Sequence, residues 1–305
     1  MRRNVLYELA PRVAVIPGTT NVGVILTGPD SCFLVDVGLD RQRARQIARI
    51  LHSEGLEVRG VLLTHCHADH CGGLAGLLRD FGRAVEVKCT SYEATILANP
   101  IFAPLALFGG ASPPRELKNK FLMPERVEEI TLVAPGDQLQ LGEVRVEVLD
   151  LAGHTPGQVG YAIEEVLFCG DAYFGRDVLD KHGIPFFVDI ERSLEAMAGV
   201  ERGKWRWVVP SHGEVVEPAR ALEDIEHNRS RLSRIADYIT RALSQRQLTA
   251  AELTHKLCLE WGTWPIAPAQ FHLYRCAILA HLSRLYDRGA VRMAVYEKGV
   301  IWSAG

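Results

Sequence analysis

The chain has 305 residues, of which 48% are hydrophobic and 23% are charged, and its formal net charge at pH 7 is −3. This composition is ordinary for a globular protein, and the length suits one large domain with a smaller second one. No apolar run approaches the roughly 20 residues that a membrane-spanning helix needs, so we expect no membrane partner.

The seven cysteines are scattered along the chain and contain no Cys-x-x-Cys pair. This distribution favours reduced, buried thiols over a disulfide framework. The N-terminal residues contain no convincing secretory segment, and we therefore expect a cytoplasmic protein.

The chain opens with short strand-like runs and one helical pattern. Up to residue 64 we predict strands at 13–16, 22–26 and 32–35, a helix at 40–54 and a strand at 59–64. A Gly-Pro-Asp turn at 28–30 joins the second and third strands as a hairpin.

A histidine-rich motif follows the apolar run at 61–63: residues 64–73 are Thr-His-Cys-His-Ala-Asp-His-Cys-Gly-Gly. In an extended chain, residues i and i+2 point to the same side, so His65 and His67 can converge on one ion while Cys66 points away. Imidazole ligands suit Zn, Fe, Mn or Ni. A histidine-rich loop without a metal is the disfavoured alternative.

Asp69 and His70 come where the glycines and the leucines beyond them predict the start of a helix over 73–81. These two side chains would turn toward a second position beside the first. A strand at 84–89 and a short helix at 91–98 are expected next.

Residues 99–125 interrupt the pattern, because they are apolar and yet contain several prolines and glycines. Such a stretch is not expected to form a core element. It would either cover the metal cleft or, as we slightly prefer, pack on its own domain or form a dimer contact.

Strand patterns then return and lead to further polar residues at their ends. We predict strands at 130–133, 137–141, 144–149, 159–163, 166–169 and 207–209, with a helix at 193–200 before the last. Since every candidate ligand lies at a strand end, two sheets with helices outside and a site along one edge fit the pattern, as in an αββα sandwich.

The last 80 residues differ in character. We predict three helices there, followed by a terminal hairpin: one at 229–243, one that begins at the capping box of Thr249 and Glu252, and one at 277–285. From residue 226 onward there are 11 Lys and Arg against 6 Asp and Glu. A basic tail is typical of nucleic-acid contact, but a solvated or docking surface is the preferred interpretation.

The motif His-x-His-x-Asp-His with Gly-Gly resembles the metal-binding motif of the metallo-β-lactamase-fold hydrolases. That family also has a later His, a Gly-Asp step and a last His, which match Gly153-His154, Gly170-Asp171 and Ser211-His212. The resemblance covers roughly residues 10–220 and implies the αββα sandwich of that family. The C-terminal part is similar to the winged-helix-like domain of some members, an endoribonuclease group included. We therefore expect a catalytic domain at 1–225 and a winged-helix-like domain at 226–305.

The resemblance implies two divalent metal ions, zinc before iron or manganese, with a bridging hydroxide as nucleophile. One metal would be held by His65, His67 and His154, and the second by Asp69, His70 and His212. Asp171 would bridge the two, and Asp69 and Asp171 are also expected to be catalytic.

Other polar residues near these motifs have competing interpretations. In resembling proteins the residue at Asp36 orients a ligand histidine, although a plain turn-forming Asp is equally compatible with the sequence. Cys169 lies two positions before Asp171, where some penicillin-destroying relatives have a cysteine ligand, and is not expected to bind metal. Cys66 and Cys71 are expected to be small buried residues.

The expected function is hydrolysis of a small ester or thioester, similar to glyoxalase II, although glutathione-binding residues cannot be aligned with this tail. One alternative is a phosphodiesterase or endoribonuclease acting on RNA. A non-catalytic binding module is another, disfavoured because the ligand set is complete. The expected partners are a small-molecule substrate, RNA in the alternative case, and a second copy in a homodimer.

Overall fold

The structure, a computed structural model, describes residues 5–81, 85–297 and 299–305. Its main part contains two sheets with helices packed on their outer faces. The first sheet has the strand order β1 to β7: β1 (Tyr7–Ala10), β2 (Val13–Ile16), β3 (Val22–Leu26), β4 (Ser31–Val35), β5 (Glu57–Leu62), β6 (Glu86–Cys89) and β7 (Thr131–Leu132). The second sheet, ordered β12-β11-β10-β9-β8, consists of β8 (Gln138–Leu141), β9 (Val144–Asp150), β10 (Val159–Ile163), β11 (Val166–Gly170) and β12 (Trp207–Pro210).

Ten α-helices lie within the described ranges. They are α1 (Arg41–Ser53), α2 (Ala68–Cys71), α3 (Leu74–Phe81), α4 (Ser91–Ala98), α5 (Phe102–Leu107), α6 (Arg176–His182), α7 (Ile190–Arg202), α8 (Pro218–Gln245), α9 (Ala250–Trp261) and α10 (Pro268–Asp287). A C-terminal hairpin is formed by β13 (Val291–Tyr296) and β14 (Gly299–Ala304). None of the helices described is long and apolar enough to cross a membrane.

The alternation of side chains along β2 shows how the layers form. Val13 and Val15 pack between the two sheets, whereas Ala14 and Ile16 pack on the outer face of the first sheet against α1. Because successive side chains of a strand point to opposite faces, a run of four apolar residues serves two cores at once. Equivalent packing of α7 and α8 covers the outer face of the second sheet. The expected αββα sandwich is confirmed.

Each sheet changes from antiparallel to parallel strand pairing on the side where the candidate ligands lie. β1 to β4 are antiparallel, but β4, β5, β6 and β7 run parallel to one another. In the second sheet β11 and β12 are parallel. Parallel neighbours bring their carboxyl ends to the same edge, so the loops after β5, β11 and β12 meet there.

The elements differ from the sequence-based ones in a few places. β1 and α6 were not predicted, and the segment 99–125 contains α5 and a 3-10 turn at Arg115–Leu117. Pro104 is accommodated in α5 because it lies in the first turn, where the backbone N–H has no intrahelical partner. The predicted strand 84–89 begins at Glu86, and Ala84 lies outside the described residues.

The C-terminal region consists of α8, α9, α10 and the hairpin, around its own apolar cluster. The capping box at Thr249 and Glu252 is confirmed. α8 begins at Pro218, earlier than the predicted start at 229, and runs without a break past position 225. The division into domains 1–225 and 226–305, like the winged-helix relationship, stays a prediction.

Candidate metal centre

The seven candidate ligands lie together at one edge of the sandwich, on loops and one short helix that follow strands. His65 and His67 lie between β5 and α2, and the other four segments add, in chain order, Asp69 and His70 on α2, His154 after β9, Asp171 after β11 and His212 after β12. The structure thus brings all seven sequence-predicted residues to one place.

Three histidines form the first cluster. Nε2 of His65 is 3.1 Å from Nδ1 of His67, and Nε2 of His154 is 2.8 Å from the same Nδ1 atom. Their potential ligand atoms all lie within 4.8 Å of one another. Three ring nitrogens at this spacing can donate lone pairs to one ion.

Asp69, His70 and His212 form the second cluster, also with ligand atoms within 4.8 Å of one another. Nε2 of His212 is 3.0 Å from Oδ2 of Asp69, and Nε2 of His70 is 3.9 Å from Oδ1 of Asp69. This cluster has a carboxylate where the first has only imidazoles.

Asp171 lies between the two clusters. Its Oδ2 atom is 3.4 Å from Nε2 of His154 on one side. On the other side it is 3.7 Å from Nε2 of His70 and 3.6 Å from Nε2 of His212. A single carboxylate oxygen therefore reaches ligand atoms of both clusters.

The ring orientations are fixed by hydrogen bonds on the opposite nitrogens. Nδ1 of His154 donates to the Phe186 carbonyl at 2.7 Å, and Nδ1 of His212 donates to the Thr19 carbonyl at 2.7 Å. Since a carbonyl oxygen only accepts, Nδ1 must carry the proton in both rings. In the neutral form of each ring the lone pair is then on Nε2, the atom that faces the cluster, as in metal-binding histidines.

Asp36 fixes His70 in the same way. It lies at the end of β4, is almost fully buried, and has a left-handed backbone with φ of 60°. Its Oδ2 accepts from Nδ1 of His70 at 2.9 Å and from Oγ1 of Thr64 at 2.8 Å, and its Oδ1 accepts from the Thr64 backbone N–H at 2.9 Å. These contacts agree with the orienting interpretation of Asp36, since its carboxylate holds the ring of a candidate ligand.

Burial and charge separate the protonation states of the histidines. Burial lowers the pKa of His65 well below the ordinary imidazole value, lowers the pKa of His154, and lowers that of His67 to about 3. These three rings are therefore neutral at physiological pH, which is the form in which imidazole binds a metal.

The second cluster contains the charges. Burial would lower the pKa of His70 and of His212, but the neighbouring carboxylates, Asp171 foremost, raise both, and that of His212 reaches about 9. Burial would raise the pKa of Asp69 and Asp171, yet the histidines beside them hold both well below the usual carboxyl range. The carboxylates are therefore ionised at neutral pH and available as ligands.

Two buried atoms of this arrangement, Nε2 of His70 and Oδ1 of Asp171, have no hydrogen-bond partner among the described residues. An unpaired buried polar atom costs about 1–3 kcal/mol, and a bound cation would remove that cost. The donor set, imidazole nitrogens with carboxylates, suits Zn, Fe or Mn. The residues present therefore fit two divalent ions.

The cysteines near the site point elsewhere. Cys169 is fully buried, its thiol contacts the Val209 carbonyl at 3.5 Å, and burial raises its pKa. Cys66 packs in the outer core of the first sheet, and the Cys71 thiol donates to the His67 carbonyl at 3.3 Å. Among the described residues, no cysteine belongs to the potential ligand groups.

Two further residues tie the site loops together and were not identified from the sequence. The buried carboxylate of Glu93 accepts from the Cys66 backbone N–H at 2.7 Å and from Oγ1 of Thr155 at 2.5 Å. Gln158 accepts from the Asp171 backbone N–H at 3.1 Å. Both residues lie among other polar residues or glycines in the sequence, so no sequence signal distinguishes them, and their roles become visible only from their burial and contacts.

A cleft of about 1190 Å³ opens beside the two clusters. It is lined by His67, Asp69, His154, Asp171 and His212 on one side. Residues of the 99–125 segment line the other side, as the cleft-covering alternative required. A dimer contact of this segment is untested.

Comparison with known proteins gives a family match that spans all seven candidate ligands. The family model described as the metallo-beta-lactamase superfamily matches residues 15–212. A hydroxyacylglutathione hydrolase from Blochmanniella pennsylvanica is 29% identical over 163 residues, which are 53% of this chain and 50% of that relative. One of the same name from Shewanella denitrificans is 32% identical over 142 residues, 47% of this chain and 42% of that relative. The chain thus spans about half the length of the curated relatives that it matches.

Two solved structures share the fold over nearly the whole chain. A beta-lactamase domain protein from Burkholderia ambifaria has a TM-score of 0.77 at 21% identity, covering 99% of this chain and 95% of that one. A metallo-beta-lactamase family protein from Thermus thermophilus has a TM-score of 0.71 at 22% identity, covering 98% and 100%. At this level of identity the likeness describes the fold alone, and it includes the C-terminal helices.

Proposed function

The chain belongs to the metallo-beta-lactamase superfamily, and from that premise we propose that it is a dinuclear metal-dependent hydrolase of a carboxylic ester or thioester. The observation that carries the proposal is the convergence of seven ligand-type side chains in two clusters that share Asp171. Degenerate binding modules would not need a complete set, so the arrangement disfavours a non-catalytic role.

Residues would divide between the two ions as the clusters divide. His65, His67 and His154 would hold one ion, Asp69, His70 and His212 the other, and Asp171 both. When bound, such ions lower the pKa of a water molecule toward neutrality and polarise a carbonyl oxygen.

The chain's own groups position that chemistry. The carbonyls of Phe186 and Thr19 hold protons on Nδ1 of His154 and His212, which keeps the opposite lone pairs directed inward. Asp69 is the most exposed carboxylate of the centre, with 43% of its side chain accessible. We propose that it accepts a hydrogen bond from the attacking water and passes the proton to the leaving group.

The carboxyl substrate class is supported by the relatives. Hydroxyacylglutathione hydrolase is the name of the matched curated proteins, and it denotes hydrolysis of a thioester. Since the chain spans only about half of their length, glutathione specificity does not transfer with the metal site. Endoribonuclease activity, a homodimer and a cytoplasmic location remain predictions of the sequence.

The test combines metal analysis with a substrate panel. Protein purified without chelator should contain close to two equivalents of divalent metal by plasma mass spectrometry. It should hydrolyse carboxylic thioesters or esters and leave phosphodiesters intact. One equivalent of iron without hydrolysis, or turnover of phosphodiesters alone, would overturn the proposal.

Two variants at the end of β11 and just after it serve as control and test. Asp171→Ala should abolish hydrolysis and lower the metal content, because it removes the group shared by both clusters. Cys169→Ala, two residues earlier, should keep both, because that thiol faces the core. Hydrolysis retained by Asp171→Ala would refute the dinuclear assignment.

A further inference from the structure

The cleft beside the candidate metal centre is much larger than a hydroxyacyl group. Its volume of about 1190 Å³ exceeds the roughly 300–1,000 Å³ typical of small-molecule sites. The centre occupies only one side of it. The remaining wall is therefore available to a part of the substrate that lies beyond the scissile bond.

That remaining wall is predominantly apolar, and much of it comes from three segments. These are α5 with the residues after it, the loop 184–188 after α6, and α10, which lies on the side opposite the candidate ligands. The apolar side chains include Phe102, Phe121, Ile184, Phe186, Val188 and Leu273. Phe102 and Phe121 are 42% and 64% exposed, respectively. Exposed aromatic rings that face a cleft beside a reactive centre are suited to a ligand that buries them.

Charged groups of the wall do not favour an anionic substrate. Apart from the candidate metal ligands and the buried Glu93, the described lining residues include two acids, Asp177 and Glu214, against one cation, Lys181. Arg275 of α10 is not among the lining residues, and its Nη2 donates to the Leu107 carbonyl at 3.1 Å. A glutathione moiety carries two carboxylates, for which this wall offers one exposed lysine.

We propose that the substrate is an ester or thioester with a large apolar group, a long aliphatic chain or an aromatic system, that lies against α5 and α10. This inference rests on the proposed function and specifies its substrate class. The apolar group belongs either to the acid or to the thiol or alcohol, and the two sources are separated experimentally below. Glutathione thioesters of small hydroxy acids are then poor substrates.

The expected effect follows from burial. One fully buried methylene contributes about 0.8 kcal/mol, which corresponds to about fourfold in affinity. With half of that area buried, each methylene gives about twofold, so the six that separate acetyl from octanoyl give at least about 50-fold.

The experiment measures kcat/KM of the metal-loaded protein for two homologous series. The first varies the acid from acetyl to octanoyl with N-acetylcysteamine as the thiol. The second keeps acetyl and lengthens an alkyl thiol. S-lactoylglutathione is the third arm. A rise of at least about 50-fold along one series, above the value for S-lactoylglutathione, is the expected result.

A matched pair of variants tests the wall itself. Phe102 lines the cleft, whereas Phe108, directly after the end of α5, packs edge-on against His272 with ring centroids 5.5 Å apart and is not part of the lining. Phe102→Ser should lower the octanoyl-to-acetyl ratio of kcat/KM about three- to tenfold, the loss of a partly buried ring. Phe108→Ser should leave that ratio within about twofold of wild type.

Binding gives a readout without turnover. Non-hydrolysable S-alkyl thioethers of N-acetylcysteamine should bind the protein, after its metal has been removed with a chelator, more tightly as the alkyl chain lengthens. Calorimetry measures this affinity, and Phe102→Ser should make it depend less on chain length. Metal-dependent thioester turnover that is flat or falling with chain length in both series, or fastest with S-lactoylglutathione, would overturn the inference and leave the proposed function in place. Absence of any ester or thioester turnover would overturn both.

Discussion

Replacing Asp36 by Asn should weaken the second metal cluster through a change of histidine tautomer. Asn fits the site in shape and tolerates the left-handed backbone at this position, where φ is 60°. Its amide oxygen can accept from the Thr64 backbone N–H in place of Oδ1. The NH₂ group then replaces Oδ2 and faces Nδ1 of His70, which at present is 2.9 Å from that oxygen.

An NH₂ group can only donate, so His70 must present a lone pair at Nδ1 and carry its proton on Nε2. Nε2 is the atom that faces Asp171 at 3.7 Å and belongs to the candidate ligand set. A proton there blocks coordination until the tautomer is reversed. Changes to such supporting carboxylates cost about 10- to 100-fold in metal affinity, or about 1.4–2.8 kcal/mol.

The assay is competition with a chromophoric chelator, which resolves the dissociation constants of both metal equivalents. One equivalent should weaken by about 10- to 100-fold, and the other, held by His65, His67 and His154, should change little. Asp40→Asn is the control, since Asp40 caps α1 on the same stretch of chain and Asn is an equally good cap. Two unchanged dissociation constants in Asp36→Asn would refute the tautomer argument.

Three further outcomes are expected. Burial raises the pKa of Glu93, so its contribution to the stability of the wild-type fold decreases as the pH rises. The unfolding free energy of Glu93→Gln minus that of wild type, from urea titrations, should therefore increase between about pH 4 and pH 8. A difference that does not change with pH would contradict this. Metal added to chelated protein at about 100 times its dissociation constant should stabilise the fold by about 2.7 kcal/mol and raise Tm by roughly 5 °C or more, whereas an unchanged Tm would argue against a site in the folded state. A Cβ on Gly72 would lie 1.9 Å from the Leu39 carbonyl oxygen, so Gly72→Ala should cost about 1–3 kcal/mol in urea unfolding and weaken metal binding, and wild-type stability would show that the loop relaxes freely.

The candidate ligands could be identified from the sequence because their signal is local. His65 and His67 alternate on an extended segment, and the later ligands each follow a strand with a glycine beside them. Strand periodicity gave the sheets for the same reason, since each run of apolar residues reports its own burial. The choice of side chain at these positions is dictated by chemistry rather than by packing.

The contacts that orient the candidate ligands could not be predicted from the sequence. Thr19 and Phe186 orient two histidines through their backbone carbonyls, which every residue possesses, so no side-chain pattern marks them. α6 was missed because Leu179 is its one buried residue and no apolar period exists. The role of α10 in the cleft depends on tertiary packing between positions more than 160 residues apart, as the contact of Arg275 with Leu107 illustrates.

The continuity of α8 has a consequence for the energetics of substrate capture. At 1.5 Å per residue its 28 residues span about 42 Å. Ile225 packs against the second sheet and Ile235 packs in the C-terminal apolar cluster, so a single continuous helix belongs to both cores. A hinge between them would require bending a helix that contains no internal proline or glycine. The far wall of the cleft is therefore held at a fixed distance from the metal centre before substrate arrives, and little binding energy is diverted to ordering it.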